Sequence, residues 1–329
     1  MGERGMIEDP RTGAVFVPVP IPHLRVDTIT DFNLYLKPRE EHIPVLYRHK
    51  NLAFTQETCN RLRESNVDVL FVNSIEEDTY RHYLERHLAE VLTDPHVTVE
   101  TKCTIVYTSA RGLVKDVLED PRSGTMISRS STLVEHMTDF MLKEKTALES
   151  LMKVTSFDYY TYTHSVNVYV FGVSLLQRLG ADADTLRRYG MGGLLHDVGK
   201  SMIDPAIINC RGKLSAEQWE MMKMHPVYGC EILEAQGVRD DLVFDVTRHH
   251  HEKLSGRGYP DGLTDGQLSR FVRVTTIADI FDALTTKRSY KEAMPSYLAL
   301  KLIKDEMMPT DVDMELYRAF VVMIGNPTA

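Results

Sequence analysis

Apolar residues recur along this chain with two different periods, and the change between them divides it. Up to about residue 98, short apolar stretches alternate with turn formers. Phe32-Asn-Leu-Tyr-Leu-Lys37 and Ile43-Pro-Val-Leu-Tyr47 predict short strands, Asp68-Val-Leu-Phe-Val72 a buried strand, and Thr55 to Glu64 a helix. Pro10, Pro18, Pro20 and Pro22 forbid a helix over residues 1–26, where the intervening Val and Ile suit an extended edge. Ser74 and Glu77 stand in capping-box register, and Tyr80, Tyr83, Leu84, Leu88 and Val91 then keep helical spacing until Thr93-Asp-Pro95 ends the helix. From Val97 onward the period is helical almost throughout. Val99 to Leu118 predicts one long helix, and after Asp120-Pro-Arg-Ser-Gly124 a second runs from Ser131 to about Val154. Its stripe of Leu133, Met137, Phe140, Met141, Leu148, Leu151 and Met152 suits burial in a bundle or pairing across a dimer. Asp139 with Lys143 and Glu149 with Lys153 stand in i, i+4 ion-pair register outside it. The pattern predicts a mainly α protein: a smaller α+β accessory or regulatory domain over residues 1–98, a connecting helix and loop over 99–124, and an all-helical C-terminal domain over 125–329.

Composition changes this picture little. A chain of 329 residues with 43% hydrophobic and 26% charged residues is an ordinary globular protein with room for two domains. No apolar run approaches the roughly 18 residues that span a bilayer, and the N-terminal stretch lacks the apolar core of a signal peptide, so the expected compartment is the cytoplasm, with no membrane partner. The net charge of −9 argues against a nucleic-acid polymer as partner, since phosphate neutralisation needs a basic surface. A small anionic ligand is not excluded, because divalent cations reverse the field locally. Cys59, Cys103, Cys210 and Cys230 form no C-x-x-C pair and indicate neither a disulfide framework nor a thiolate zinc site.

The chemistry lies in the second half, where His164, His196, His225, His249, His250 and His251 coincide with other ligand-type residues. His164 alone reads as a core histidine. His196 and Asp197 then stand side by side at the end of an apolar helical segment, with Lys200 three residues beyond. Adjacent helical residues point about 100° apart, so this pair serves one centre only if the centre lies between them, which a metal ion does. As a bare buried ion pair the two would be costly. Ser215 and Gln218 are in capping-box register and open a helix leading to His225, whose backbone Pro226 restricts toward extended forms, predicting a break or kink there. Arg248-His-His-His-Glu-Lys-Leu-Ser-Gly-Arg-Gly-Tyr-Pro-Asp-Gly262 is the densest stretch. Finally, Asp279 and Asp282 share one face of an apolar helix, and two carboxylates there need a partner such as a cation.

The order H…HD…H…HH…D, with HDVGK, HHE, GYP and D-A-L-T-x-x-R-x-Y spelled out around it, closely resembles the HD-GYP family of HD-domain metal-dependent phosphohydrolases over about residues 125–329. The resemblance implies an all-helical HD-GYP-type catalytic domain that hydrolyses cyclic di-GMP to the linear dinucleotide pGpG or on to GMP. Carried over by motif, His164, His196, Asp197 and Asp279 ligate one metal. His225, His250 and His251 hold a second, with Asp197 bridging. His249 falls outside the pattern, because the family's paired histidines directly precede the glutamate, here Glu252. A branch with three metals has a glutamate four residues before the first histidine; Tyr160 stands there, so two metals are expected. Imidazoles mixed with carboxylates suit iron or manganese first, and zinc, cobalt or nickel also.

Two such cations can bridge a water, lower its pKa and clamp a phosphodiester for in-line attack. Lys200 is expected to stabilise a phosphate or the leaving oxygen, Arg288 and Lys291 to hold the second phosphate or a guanine, and Tyr259 to meet substrate by stacking or through its hydroxyl. Glu252 and Asp282 are expected behind the ligands, Glu252 orienting an imidazole. Two other functions fit the same motifs: a catalytically weak cyclic-dinucleotide receptor or scaffold, and a phosphohydrolase acting on a mixed cyclic dinucleotide such as cyclic GMP-AMP. A second copy of the chain or a regulatory protein would engage the N-terminal domain or the connecting helices.

Overall fold

In the computed structural model, residues 6–38, 42–154, 161–210, 212–287, 293–308 and 310–327 are described. The chain forms two compact units, Met1–Gly112 and Leu113–Ala329.

The first unit is built on strands β1 (Ile7–Glu8), β2 (Val15–Pro20), β3 (Thr28–Ile29), β4 (Leu34–Leu36), β5 (Val45–Arg48), β6 (Ala53–Phe54) and β7 (Val69–Asn73). Five form an antiparallel sheet in the order β1-β2-β7-β4-β5, and β3 pairs with β6. β2 runs along β7 with Val17 opposite Val72 and Val19 opposite Leu70, whereas β1 reaches only Val15 and Phe16. Beyond Phe16 the outer side of β2 has no partner strand among the described residues, so Pro18 and Pro20 can lack an N–H there without breaking a ladder. Helices α1 (Gln56–Glu64), α2 (Glu77–Arg86) and α3 (Leu88–Thr93) complete the unit. Its core holds Phe32, Leu34, Phe54, Leu70, Tyr80, Tyr83 and Leu84, all essentially inaccessible. The expected helix from Ser74 through Val91 is interrupted at His87, and its cap is different: Asn73, not Ser74, accepts from the backbone, its side chain taking the Ile75 N–H at 3.0 Å. The element starts with a 3₁₀ segment, Ser74–Glu76, which puts the capping position one residue earlier than expected.

Helix α4 (Val99–Glu119) contains the division between the units. The second unit continues with α5 (Met126–Lys143), α6 (Ala147–Val154), α7 (Thr161–Arg178), α8 (Ala183–Leu195), the short α9 (Pro205–Ile208), α10 (Ala216–Met222), α11 (His225–Ala235), α12 (Asp241–His249), α13 (Arg270–Thr285), α14 (Ser296–Leu302) and α15 (Met314–Gly325). The single helix expected over 131–154 is therefore two, separated where Glu144 turns extended at φ −101° and ψ 103°. Glu149 does take the Lys153 ammonium at 2.7 Å, but Asp139 leaves Lys143 for Arg187 of α8 at 2.6 Å, a partner that only packing supplies.

α7 is buried on every side from Thr163 to Leu176, as its nearly uninterrupted apolar sequence requires, and forms the axis of this unit. α8 approaches it closely. A Cβ at Gly172 would lie 1.9 Å from the Tyr189 hydroxyl oxygen, and one at Gly190 would lie 2.6 Å from the Tyr169 ring, so each helix gives a glycine to the other's tyrosine. Both buried hydroxyls are satisfied, Tyr169 by Thr138 at 2.8 Å and Tyr189 by Thr275 at 3.0 Å. Phe171, Phe281 and Phe320 meet edge to face at 5.1–6.1 Å and tie α7 to α13 and α15. No helix among the described residues is long and apolar enough to cross a membrane.

Candidate metal centre

Most of the candidate ligands sit at helix ends, and this determines which ring nitrogen faces inward. His196 and Asp197 follow directly on α8, His225 opens α11 and His250 follows α12. The last carbonyls of a helix lack an intrahelical donor. Here imidazoles supply it: His196 Nδ1 lies 2.8 Å from Gly193 O, His225 Nδ1 2.7 Å from Met222 O and His250 Nδ1 2.9 Å from Thr247 O. Each carbonyl belongs to the final turn of the preceding helix and stands three residues before its histidine. With the proton held on Nδ1, the lone pair is on Nε2, which faces the others. The break expected at His225 falls just before it; the residue itself is helical, because Pro226 sits in the first turn of α11, where a missing N–H costs nothing.

His164, in the first turn of α7, is held differently. Its Nδ1 donates to Asp282 Oδ2 at 2.7 Å, while Asp282 Oδ1 accepts from Asn167 at 2.6 Å and Thr286 at 3.0 Å. His164 Nε2 then lies 3.0 Å from Asp279 Oδ1. Asp279 and Asp282 thus share the inner face of α13 but differ in task, one facing the cluster and one bracing the His164 imidazole from behind.

Asp197 is the point where everything meets. It is 1% exposed. Oδ1 lies 3.3 Å from His225 Nε2 and 3.8 Å from His250 Nε2; Oδ2 lies 3.4 Å from His196 Nε2, 3.8 Å from His164 Nε2 and 2.6 Å from Lys200 Nζ. Two groups of donors converge, each with its ligand atoms within 4.8 Å of one another: Asp197, His225, His250 and His251, and His164, His196 and Asp197. His251 Nδ1 also lies 3.5 Å from Asp279 Oδ2.

The pKa shifts of Asp197, Asp279, His225, His250 and His251 run in the direction that suits cation binding. Burial would raise the Asp197 pKa, but Lys200 and His196 hold it well below the usual carboxylate range. Asp279 is likewise held low against its burial, chiefly by His164. Burial lowers His225, and burial with neighbouring imidazoles carries His250 well down and His251 to about 3. Neutral imidazoles and ionised carboxylates are the forms that bind cations. Two buried atoms in the centre, His196 Nε2 and Asp197 Oδ1, have no hydrogen-bond partner among the described residues, and the Nε2 atoms of His225 and His250 face each other at 3.2 Å. Buried polar atoms left so are costly, and a divalent cation among them removes the cost. The donor set fits such an ion.

Around the centre, Tyr259 lies with its ring 4.8 Å from that of His251 and meets Trp219 at 5.8 Å. Lys200 is on the Asp197 carboxylate. Arg288, Lys291 and Tyr160 lie outside the described residues. His249 faces away, with Nδ1 2.8 Å from Asp245 and Nε2 3.1 Å from Asp261, an aspartate that Arg248 also clamps at 2.7 and 2.8 Å.

Glu252 corrects an expectation. It orients no imidazole among the described residues: its buried carboxylate accepts the N–H groups of Asp261 at 2.7 Å, Gly262 at 2.9 Å and Leu263 at 3.0 Å, and so braces the turn that follows Tyr259. The three donors are sequential N–H groups that a curled turn aims at one point, a nest for an anion. Glu252→Ala leaves them without an acceptor and is expected to destabilise the domain by about 2 kcal/mol, with amide exchange at 261–263 about tenfold faster or more. Unchanged exchange there would remove the bracing role. Sequence reasoning also missed Asn167 and Trp219. Asn167, three residues after His164 on an apolar helix, could have been found by its spacing.

The family profile described as an HD domain matches residues 148–316. A cyclic di-GMP phosphodiesterase of Pseudomonas aeruginosa is 34% identical over 218 residues, which are 66% of this chain and 52% of that protein. A 3'3'-cGAMP-specific phosphodiesterase of Vibrio cholerae is 38% identical over 163 residues, 49% of this chain and 34% of that protein. The chain thus spans about half the length, or less, of these curated relatives. Among solved structures, an HDG"Y"P protein from Bdellovibrio bacteriovorus matches with a TM-score of 0.64 at 22% identity, over 94% of this chain and 99% of that one, which bears on the fold.

Proposed function

Because this chain belongs to the HD-domain family, we propose that it is a metal-dependent phosphodiesterase that opens a cyclic dinucleotide, cyclic di-GMP first, to linear pGpG or on to GMP. One observation carries this reading: two donor groups meet at a single buried carboxylate, Asp197, whose two oxygens face different imidazoles. We assign His164, His196, Asp197 and Asp279 to one cation and His225, His250, His251 and Asp197 to a second. The mixed imidazole and carboxylate donors suit iron or manganese. When bound, such cations supply Lewis acidity toward a phosphodiester and a water nucleophile at neutral pH.

The chain's own residues then divide the remaining work. Asp282 and the three helix-end carbonyls hold the imidazoles in the tautomer that presents Nε2 inward. Lys200 neutralises Oδ2 of Asp197 and stands 15% exposed at the rim, where it can also face a phosphate oxygen. Glu252 stiffens the turn beyond Tyr259, so that the phenol is presented rather than mobile. Arg288 and Lys291 are proposed to take the second phosphate or a guanine.

A second substrate is favoured by the Vibrio relative, which is specific for 3'3'-cGAMP, so guanine-only selectivity is not part of the proposal. The test treats both nucleotides alike. Protein stripped with a chelator, and the same protein reloaded with manganese or ferrous iron, are incubated with each cyclic dinucleotide and the products resolved by chromatography. The reloaded protein is expected to release the linear dinucleotide, and the stripped protein to be slower by about 10²-fold or more. Equal turnover in both would sink the metal-dependent reading, and binding without turnover would favour a receptor.

A further inference from the structure

Trp219 has no part in the chemistry above, yet it stands beside it. It is the only tryptophan of the chain and is 45% exposed on α10. Its indole meets the Tyr259 ring at 5.8 Å and 80°, and Tyr259 in turn lies 4.8 Å from His251 at 31°. An aromatic row therefore leads from a candidate ligand to the surface in two steps. The backbone that carries the indole is fixed: Ser215 and Gln218 close both hydrogen bonds of the capping box, at 2.9 and 3.2 Å, immediately before Trp219 in the first turn of α10. Leaving so large an apolar side chain half in water forfeits its burial. Met221, also on this short helix, is 48% exposed and forfeits more.

We propose that Trp219 and Tyr259 form a two-walled aromatic seat for one purine base of the substrate, the indole face stacking on the base while the phenol closes its edge. This rests on the reading of the site as a cyclic dinucleotide phosphodiesterase. The two rings stand nearly perpendicular, so a flat base parallel to one presents its edge to the other. The seat carries no charge, which suits a base and not a phosphate, and the phosphate's place is a few ångströms away at the carboxylate and imidazole cluster. Every base has a π-face, so stacking of this kind tolerates guanine and adenine alike. Selection between cyclic di-GMP and a mixed cyclic dinucleotide then falls to hydrogen-bonding groups elsewhere.

A single tryptophan makes the test direct. Cyclic di-GMP and 3'3'-cGAMP, each added to the metal-loaded full chain, are expected to quench tryptophan emission with a midpoint at the KM for that nucleotide. Trp219→Ala is expected to raise KM about 5- to 150-fold, the range for losing one base–aromatic stack, and Trp219→Phe to stay within about threefold of wild type because a stacking face remains. Turnover with no change in emission, or equal KM in the Ala and Phe variants and wild type, overturns the seat and leaves the diesterase reading intact. Quenching without turnover overturns the diesterase reading and leaves the seat. Should Trp219→Ala fail to fold, the wild-type emission titration still decides.

Discussion

Asp197→Asn is expected to reduce turnover of cyclic di-GMP by about 10³-fold or more, since Lewis-acid stabilisation of the transition state is worth several kcal/mol and each 1.36 kcal/mol is tenfold. The substitution is nearly isosteric, so the loss reports charge and not shape. Asp197 belongs to both donor groups, which no other residue does among those described. An amide removes the negative charge that Lys200 and four imidazoles surround, and it turns an acceptor into an NH₂ donor that faces either the Lys200 ammonium at 2.6 Å or the imidazole of His225 at 3.3 Å. Both groups therefore lose affinity together. Elemental analysis of the purified variant should find less than about a tenth of the wild-type metal content, given that even removing partners behind a ligand costs 10- to 100-fold in affinity. Asp282→Asn gives the graded comparison: it keeps a hydrogen-bond acceptor for His164 and should lose activity only partly. Full metal content with normal turnover in Asp197→Asn would sink the shared-ligand assignment.

How much of the candidate site was readable before the fold follows from where its information resides. His196-Asp197, His250-His251 and Asp279 to Asp282 are local spacings, and a cation is the economical partner for such residues whatever surrounds them. The tautomers were not readable. They depend on each histidine falling just past a helix end, where a carbonyl three residues back is unpaired, and helix ends are the least certain part of any pattern. Glu252 was misassigned for a related reason: its neighbour His251 suggests a partner, but its carboxylate meets Asp261, Gly262 and Leu263 only because the intervening loop curls back.

The fold shows the same division between local and packed information. The long buried α7 and the Ser215–Gln218 capping box follow from composition and register alone. The break after Lys143 does not, since Met141 to Leu148 is a step of seven and the apolar stripe keeps its phase across the interruption. No proline or glycine marks it. Asp139 likewise had a lysine in register on its own helix and found Arg187 across α8 instead, a choice that only the docking of two helices makes.

Gly199→Ala is the substitution of one methyl with the largest expected structural effect. Gly199 lies in the 3₁₀ segment Val198–Met202, between Asp197 and Lys200, and packs against the first turn of α11. A Cβ there would stand 1.9 Å from His225 O and 2.4 Å from Gly229 N. Those two atoms sit four residues apart in the first turn of α11, so the methyl would be driven into backbone that cannot rotate away. Relief requires the two elements to part by an ångström or more, and His225, at the start of α11, must move with its helix away from Asp197. Overpacking costs about 1–3 kcal/mol even where side chains can adjust, so at least about 3 kcal/mol is expected here, read as a fall in Tm of about 6–12 °C. Gly229→Ala is the control, because its Cβ would meet the Thr247 methyl at 2.9 Å, a side-chain contact with more freedom to give. It should cost about half as much. If Gly199→Ala melts with the wild type and retains its full metal content, the close approach that aims His225 at Asp197 is not what holds that ligand in place.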